Sequence, residues 1–520
     1  MNNRINLIRL NKECKECIEN HPIVCFEKSI SYLEELKLAF PDLASNIVGI
    51  VDDNVRNQSE FEFEGKRLLV SGTETLETIN WDNTVLLIIS DYFYEAYDKL
   101  CEYRTIAEKV KSIYYFVNRE TEYELEFREI YKNSELRNII LFRSGPHSSS
   151  YVKGMDFSDN ARALFEYMLE QKMNEKYELV WMVKNPGEFD TYKKYPNVKF
   201  VSFDWPVSDK EEEREQYYRA LCLAKYLFFT DAYGFARNCR SDQIRVQLWH
   251  GCGFKTRVNF VRCEKRYEYT TVISDLYAKI HAEIYGLRPE QVLITGYAKE
   301  DWLFHPITKD KLCSIGIPAA KKYVFWLPTF RSTDKKLEQL NEYCLDSQVG
   351  LPIIDTFEKL QEIDHVLQAM DMVLVVKLHP FQNAETVHCE GFEHIYLLEN
   401  MQLVEQDIQI NQLLGYADAL ISDYSSVAVD YLLLDRPIAF TLDDVDEYSN
   451  SRGFVFNDIK NWLPGTEIYD WMDFMQYIKD IEAGIDAEQE KRHRIKKVMH
   501  NFDDDRSCQR ILDALGIEKE

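Results

Sequence analysis

The stretch that decides the fold is residues 419–434, which read ALISDYSSVAVDYLLL. A short apolar strand, Ala419–Ser422, leads through a polar turn into the apolar helical run Val427–Leu434. This pattern is typical of a parallel sheet covered by helices. Ser425 and Ser426 fall at the predicted helix N-terminus, where serines serve either as ordinary helix caps or, together with free backbone amides, as a site for an anion.

Other predicted strands in the same part of the chain, residues 320–480, are also followed by polar residues. The predicted strand Tyr323–Leu327 is followed by Pro-Thr-Phe-Arg, and the strand Met372–Leu378 by His-Pro. Ligands in open parallel sheets bind beyond the carboxyl ends of the strands, so these residues should surround one crevice. The residues predicted to bind a diphosphate there, without a glycine-rich phosphate loop, are Thr329, Arg331, His379, Ser425 and Ser426.

Apolar strand-like runs alternate with helical segments along the whole chain, which indicates an α/β fold with parallel sheets. Besides the three strands named above, the pattern predicts strands at Ile23–Phe26, Ile47–Val51, Val85–Ser90, Ile113–Val117, Asn138–Phe142, Leu179–Val183, Val198–Phe203, Tyr226–Thr230, Ile244–Trp249, Thr271–Ser274, Val292–Thr295 and Ile438–Thr441. A chain of 520 residues is long enough for three domains, at about 100–200 residues each. The predicted parts are a Rossmann-like N-terminal domain of unassigned role (1–135), a second Rossmann-like domain (136–310), a third (320–480) and a helical tail (481–520). Lys309–Lys322, with its glycine and proline, is predicted to connect the second and third.

The N-terminal block has the strand pattern of a nucleotide-binding unit but not its glycine-rich turn. Asp52-Asp53 follows the second predicted strand, where an acid would bind ribose, whereas the first strand is followed by Glu27-Lys28-Ser29. We therefore predict a docking or regulatory role for this block rather than a bound dinucleotide.

In the second block the apolar strand Ile244–Trp249 ends in the turn His-Gly-Cys-Gly at 250–253. A histidine on a flexible turn at the carboxyl end of a strand is suited to be a general base near neutral pH, and the glycines allow a ligand to approach the backbone closely. A purely structural histidine is the alternative. Cys252, between His250 and Lys255, is a further alternative as a nucleophile of lowered pKa.

The composition argues against several classes of protein. Lys and Arg number 62 against 88 Asp and Glu, a formal charge of −26 that repels nucleic-acid phosphates. A hydrophobic share of 45% is enough to bury a core, which excludes general disorder. No apolar run approaches the roughly 18 residues of a membrane span, and the N-terminus lacks the apolar core of a signal peptide, so we expect a cytoplasmic protein. The sequence predicts no cofactor or metal site and does not reveal whether a divalent cation is required.

Five motifs occur in a fixed order along the second and third blocks. They are WHG-x-x-x-K (Trp249–Lys255), LPTFR (Leu327–Arg331), KLHP (Lys377–Pro380), SDYSS-x-x-x-DY (Ser422–Tyr431) and RP-I-x-F (Arg436–Phe440), followed by Arg452-Gly453-Phe454 and Pro464-Gly465. In these motifs the chain resembles the CDP-glycerol glycerophosphotransferase family, the teichoic acid primases and polymerases of bacterial cell walls. The resemblance covers residues 138–471 and leaves out the N-terminal block.

The resemblance implies a GT-B architecture, with the active site between two Rossmann-type domains, beside the additional N-terminal α/β domain. It implies a transferase that moves a polyol phosphate, glycerol phosphate in the first instance, from a CDP-activated donor to a hydroxyl of a polymer or lipid-linked acceptor, releasing CMP. By position, His250 resembles the catalytic base, with His379 the next candidate, and the five residues named above resemble the donor-diphosphate binders in domain 320–480. Domain 136–310 would then be the acceptor side, and further substrate contacts are implied at Gly251, Lys255, Asp423 and Arg452.

One departure from the family pattern leaves the donor polyol open. The family usually has Thr-Pro after His-Gly, whereas this chain has Cys252-Gly253. The alternatives are a GT-B glycosyltransferase that uses a nucleotide sugar and a non-catalytic nucleotide-binding scaffold. The sequence does not identify the acceptor, the residues that bind the base or the oligomeric state.

The tail contains a dense basic run, Lys491–Lys497 (KRHRIKK). It predicts either a peripheral contact with anionic lipid at the inner face of the cell membrane or a solvated helix face whose charges pair with neighbouring acids.

Overall fold

The computed structural model describes residues 5–53, 55, 58–145, 152–230, 237–256, 263–328, 347–378, 387, 391–451 and 453–519. By its internal contacts the chain forms two compact units. Unit 1 holds residues 5–135, 204–223 and 237–240, and unit 2 holds the rest of the described chain. No helix of this described part combines the length and the apolar character that crossing a bilayer requires.

Unit 1 contains one sheet, and its strands and helices are numbered here in chain order. The strands are β1 (Asn6–Arg9), β2 (Ile23–Phe26), β3 (Ile47–Val51), β4 (Ser59–Phe63), β5 (Lys66–Ser71), β6 (Val85–Ile88) and β7 (Ser112–Tyr115). The helices are α1 (Lys12–Ile18), α2 (Ile30–Ala39), α3 (Pro41–Ser45), α4 (Phe93–Glu102), α5 (Arg104–Lys109), α6 (Arg119–Tyr131) and α8 (Glu211–Leu223). The strand order is β1-β7-β6-β2-β3-β5-β4, parallel except for β4, so the fully buried β2 lies at the centre.

Charged side chains are buried near the carboxyl edge of this sheet. The side chain of Arg237 is only 6% exposed and lies 3.2 Å from Asp91, which follows β6, and 3.7 Å from Glu124 of α6. Burial lowers the pKa of the Arg237 guanidinium, but these carboxylates raise it above its ordinary value, so it stays charged. Helix α8 begins with three glutamates and packs against α6, where the Tyr218 ring stacks on that of Phe127.

Unit 2 contains two parallel sheets. The first consists of β8 (Arg137–Arg143), β9 (Glu178–Val183), β10 (Val198–Ser202), β11 (Ala224–Phe229), β12 (Ile244–Gln247), β13 (Tyr269–Val272) and β14 (Val292–Ile294), in the order β10-β9-β8-β11-β12-β13-β14. The second consists of β15 (Lys322–Trp326), β16 (Met372–Lys377), β17 (Ile395–Leu398), β18 (Ala419–Ser422), β19 (Ile438–Thr441) and β20 (Thr466–Ile468), in the order β17-β16-β15-β18-β19-β20. All neighbouring strands in both sheets are parallel.

The helices of unit 2 cover both sheets. They are α7 (Asp159–Glu170), α9 (Asp275–Tyr285), α10 (Lys309–Ser314), α11 (Phe357–Met370), α12 (Asn400–Glu405), α13 (Ile410–Leu414), α14 (Val427–Tyr431), α15 (Val445–Ser451), α16 (Trp471–Ala483), α17 (Gln489–Met499) and α18 (Ser507–Ala514), together with the 3-10 helix Ala298–Phe304. In the tail, Phe474 of α16 lies in the core of the second sheet, whereas Ile511 of α18 lies in the core of the first. The end of the chain therefore crosses back and ties the two sheets of unit 2 together.

The structure confirms the predicted strands of all three blocks, with ends that shift by one or two residues. It also contains strands that the sequence pattern did not predict, namely β1, β4, β5, β17 and β20. Four of these lie at sheet edges, and β5 pairs with the edge strand β4. An edge strand is partly exposed, as the alternating Ser-Glu-Phe-Glu-Phe of β4 shows, so it lacks the continuous apolar run that marks a buried strand.

Candidate active site

The histidine turn, residues 248–253, begins where β12 ends in the first sheet of unit 2. Trp249 is buried with a left-handed φ of 57°, which turns the chain so that the next residue, His250, is exposed. The two rings stack with their centroids 4.7 Å apart. The buried amide of Asn160 donates to the carbonyl oxygen of Trp249 at 2.9 Å and so fixes the start of the turn. The imidazole is thus presented on a rigid support, as a general base requires.

The serine turn, residues 423–426, joins β18 to α14 in the second sheet. Asp423 is fully buried, whereas Ser425 and Ser426 are partly exposed. Within the described residues the Ser426 side chain makes no cap hydrogen bond, and the Ser425 hydroxyl approaches the Val427 amide only at 3.5 Å. The structure therefore gives little support to the capping alternative.

The two turns are in direct contact, and the glycines make this possible. A Cβ atom on Gly251 would lie 2.6 Å from the hydroxyl oxygen and 2.9 Å from the Cβ of Ser426, and one on Gly253 would lie 3.3 Å from the same Cβ. Separations below 3 Å are not tolerated by carbon atoms. The sequence predicts that these glycines admit a ligand close to the backbone; in the structure they admit the serine turn, which brings the two sheets' strand ends together.

A buried lysine lies between the turns. The ammonium group of Lys299, on the 3-10 helix Ala298–Phe304, donates to the carbonyl oxygen of His250 at 2.5 Å and lies 3.2 Å from Asp430 and 3.7 Å from Asp159. Burial lowers the pKa of Lys299, but the carboxylates of Asp159 and Asp430 raise it above its ordinary value, so the lysine stays protonated. Burial raises the pKa of the Asp430 carboxyl. Burial and the nearby charge of Asp430 together raise the pKa of the Glu300 carboxyl.

A cavity of about 290 Å³ is lined by Ser425 and Ser426 of the serine turn and by Lys299, whose ammonium group contacts the histidine turn. Its volume is near the lower end of ligand pockets, which are about 300–1,000 Å³. Lys377, the first residue of the KLHP motif, lies in its wall, and burial lowers its pKa to about 8. Polar residues that line it come from both halves of unit 2: Ser158, Asp159 and Lys299 from the half built on the first sheet, and Lys377, Asn400, Gln409, Asn411, Ser425, Ser426 and Asp430 from the half built on the second.

Cys252 is unsuited to nucleophilic attack. It is 1% exposed, and its sulfur lies 3.0 Å from the Tyr297 hydroxyl and 3.6 Å from Nε2 of His281. Burial raises the pKa of the thiol, and burial also lowers the pKa of His281 to about 3, so this neighbour is neutral and does not stabilise a thiolate. The thiol is part of the packing beneath the histidine turn.

The remaining predicted residues divide into two groups. Lys255 forms an isolated antiparallel bridge with Phe454, and its ammonium lies 5.8 Å from the centre of the Tyr448 ring, so the WHG motif and the Arg-Gly-Phe segment meet as one strand-like pair. The other group, Thr329, Arg331, His379 and Arg452, lies outside the described residues.

Sequence reasoning missed Lys299, Asp159, Asp430 and Lys377. Asp430 belongs to the motif SDYSS-x-x-x-DY and Lys377 to the motif KLHP, so the motifs themselves could have indicated both as site residues. Lys299 and Asp159 stand in none of those motifs, and only their contacts identify them.

Comparison with known proteins gives a family and a fold. The model of the family described as CDP-glycerol:poly(glycerophosphate) glycerophosphotransferase matches residues 110–516, a wider range than the 138–471 predicted. A teichoic acid poly(glycerol phosphate) polymerase of Staphylococcus epidermidis is 23% identical over 461 residues, 80% of this chain and 59% of the relative. A teichoic acid glycerol-phosphate transferase of Staphylococcus aureus is 23% identical over 73% of this chain and 93% of its own length.

The chain is also similar to a primase and to a polymerase of known structure. A teichoic acid glycerol-phosphate primase of Bacillus subtilis is 27% identical over 61% of this chain and 79% of the relative. The solved structure of the wall teichoic acid polymerase TagF has a TM-score of 0.57 at 21% identity, covering 76% of this chain and 92% of that one. At this identity the structure speaks for a shared GT-B-like fold. The chain spans about three-fifths of the length of the Staphylococcus epidermidis polymerase.

Proposed function

The chain belongs to the CDP-glycerol:poly(glycerophosphate) glycerophosphotransferase family, and from that premise we propose that it transfers a polyol phosphate, glycerol phosphate in the first instance, from a CDP-activated donor to a hydroxyl group. The acceptor is a cell-wall or capsule polymer, or a lipid-linked precursor of one, and the nucleotide product is CMP. Domain 136–310 takes the acceptor and domain 320–480 takes the donor, and domain 1–135 has no assigned role.

One observation carries this proposal. The histidine turn and the serine turn come from strand ends of different sheets, yet they touch at Ser426, which also lines the cavity of about 290 Å³. A transfer reaction needs a base for the acceptor and anion-binding groups for the donor within reach of the same phosphorus atom. The contact between the turns supports that arrangement.

In the proposed mechanism His250 takes the proton of the acceptor hydroxyl. The acceptor oxygen attacks the phosphorus that bears the polyol, a new P–O bond forms, and the bond from that phosphorus to the CMP oxygen breaks. Negative charge then develops on the departing CMP. Ser425 and Ser426, with Thr329, Arg331 and His379, donate hydrogen bonds to this charge. Lys377 lines the same cavity and, when charged, adds an ammonium group.

Nucleotide release tests the proposal and separates it from its rivals. The protein is incubated with CDP-glycerol, CDP-ribitol and UDP-sugars in the presence of a lipid-linked acceptor, with His250→Gln as the matched control. We expect CMP from a CDP-polyol and a large loss in the control. Release of UDP would indicate a glycosyltransferase, and no turnover of any donor would indicate a scaffold; either result overturns the proposal.

A peripheral position at the inner face of the membrane would follow from a lipid-linked acceptor. Most charged residues of the run Lys491–Lys497 have acidic partners within unit 2. The pairs are Lys491 with Glu467 and Glu488, Arg492 with Asp435 and Asp486, His493 with Asp435, and Lys496 with Asp503. Arg494 and Lys497 remain as its exposed charges. Flotation with anionic liposomes should fall at high salt and in Arg494→Gln/Lys497→Gln, and equal recovery of that variant would argue against membrane contact through α17.

A further inference from the structure

Lys299 joins elements that are far apart in the sequence. Its ammonium group contacts the His250 carbonyl, 49 positions away, the carboxylate of Asp430 on α14, and that of Asp159 at the start of α7. The side chain is about 10% exposed, and that of Asp430 is 2% exposed. One buried cation thus connects the histidine turn of the first sheet to the helix that follows the serine turn of the second.

We propose that Lys299 is a positioning residue for the transfer reaction: its ammonium group holds the histidine turn against the serine turn, so that the imidazole of His250 meets the acceptor hydroxyl beside the donor phosphate. This inference rests on the proposed function. It assigns Lys299 no contact with substrate, because the lysine acts through the main chain of the histidine turn.

The chemistry of a lysine suits this position. An ammonium group has three N–H donors in a tetrahedral arrangement; here the His250 carbonyl lies at 2.5 Å and the Asp430 carboxylate at 3.2 Å, while Asp159 at 3.7 Å adds an ion pair. The planar guanidinium of an arginine presents its donors in one plane and does not match such a set. The nearly fully buried carboxylate of Asp430 supplies the counter-charge of the buried ammonium group.

The lysine is itself held in place. Its backbone amide donates to Oδ1 of Asn160 at 3.0 Å, while Nδ2 of the same side chain donates to the Trp249 carbonyl at 2.9 Å. Asn160 is fully buried. The backbone of Lys299 and residue 249 of the histidine turn are therefore fixed to one side chain, and the ammonium contact adds a restraint at the next residue, His250.

A double-mutant cycle distinguishes positioning from general stabilisation. Lys299→Met in the wild-type background should lower kcat about 10- to 100-fold, since misplacing a reacting group by about 1 Å costs about 10²-fold, and should leave the KM for CDP-glycerol within a few-fold. In a His250→Gln background the same change should cost less than about 3-fold, because the imidazole it positions is gone. Lys299→Arg should restore only part of the rate.

Lys322→Met is the matched control. Lys322 also donates its ammonium hydrogens to backbone carbonyls, those of Ile481 and Glu482, but at the far end of β15 from the turns. It should leave kcat unchanged. If Lys299→Met does not fold because Asp430 is left buried without its counter-charge, Lys299→Met/Asp430→Asn, which removes both charges, takes its place.

Hydrogen–deuterium exchange of the peptide spanning residues 248–254 tests the same inference without turnover. Exchange should rise in Lys299→Met, or in the charge-neutral double variant, and stay at the wild-type level in Lys322→Met. Equal fold-losses of kcat in both His250 backgrounds, or unchanged exchange in the Lys299 variant, would overturn the inference. A wild-type protein that releases no CMP overturns the proposed function instead, and the exchange measurement still decides the role of Lys299.

Discussion

Replacing Gly251 by alanine tests whether the histidine turn and the serine turn are in contact. The new Cβ atom would lie 2.6 Å from the Ser426 hydroxyl oxygen and 2.9 Å from its Cβ. Gly251 also has a φ of 155°, a conformation that side chains with a Cβ rarely adopt. The substitution therefore adds both a steric overlap and backbone strain.

The expected loss of stability has two parts. Overpacking a closely packed contact costs about 1–3 kcal/mol, and a disfavoured backbone conformation costs about 1–3 kcal/mol more. Ser426→Gly removes both atoms that overlap, so the double variant Gly251→Ala/Ser426→Gly should recover the first part and keep the second. If the turn moves by about 1 Å to relieve the overlap, the rate of CMP release falls about 10²-fold.

Calorimetric melting curves and CMP release provide the assay. Gly187→Ala is the matched control, because a Cβ atom added there would have no described atom within 4 Å and the φ of Gly187 is not in the left-handed region. We expect Gly187→Ala to melt like the wild type, the double variant to melt lower, and Gly251→Ala to melt lowest. A Gly251→Ala protein that melts with Gly187→Ala and releases CMP at the wild-type rate would refute the contact.

Three further results are expected. His250→Gln should lower kcat by about 10²–10⁴-fold and change donor affinity only a few-fold, as measured by CMP release and calorimetric titration; near-normal turnover would move the base to His379. Ser425→Ala/Ser426→Ala should raise the KM for the donor about 10- to 100-fold at unchanged melting temperature, because hydrogen bonds to charged oxygen are lost, and an unchanged KM would count against donor binding there. Burial lowers the pKa of Lys377 to about 8, so the charged form that attracts the donor is lost as the pH rises through that value. The KM for the donor should therefore increase above about pH 8 in the wild type, and Lys377→Arg, which stays charged, should abolish this increase. A KM that does not change with pH in the wild type would exclude the effect.

The sequence alone determined the central strands and the order of the motifs. The buried strands Ala419–Ser422 and Ile438–Thr441 were predicted with their observed ends, because strands buried on both faces need continuous apolar runs that are visible locally. The motifs that identified the family are also local features, because each is a short continuous stretch of sequence at the start or end of a strand. The positions of His250, Ser425 and Ser426 at strand ends could therefore be predicted, although the contact of Gly251 and Gly253 with Ser426 could not.

Only the tertiary structure decided which charges are neutralised and which turns meet. Lys299 and Asp430 are 131 positions apart in the sequence, and no local pattern predicts that they share a buried site at 3.2 Å. The basic run looked like one charged face, yet Arg492 is fully buried and paired with Asp435 and Asp486. Burial and long-range contacts set the energy of a charge, and both depend on residues that only the folded chain brings together.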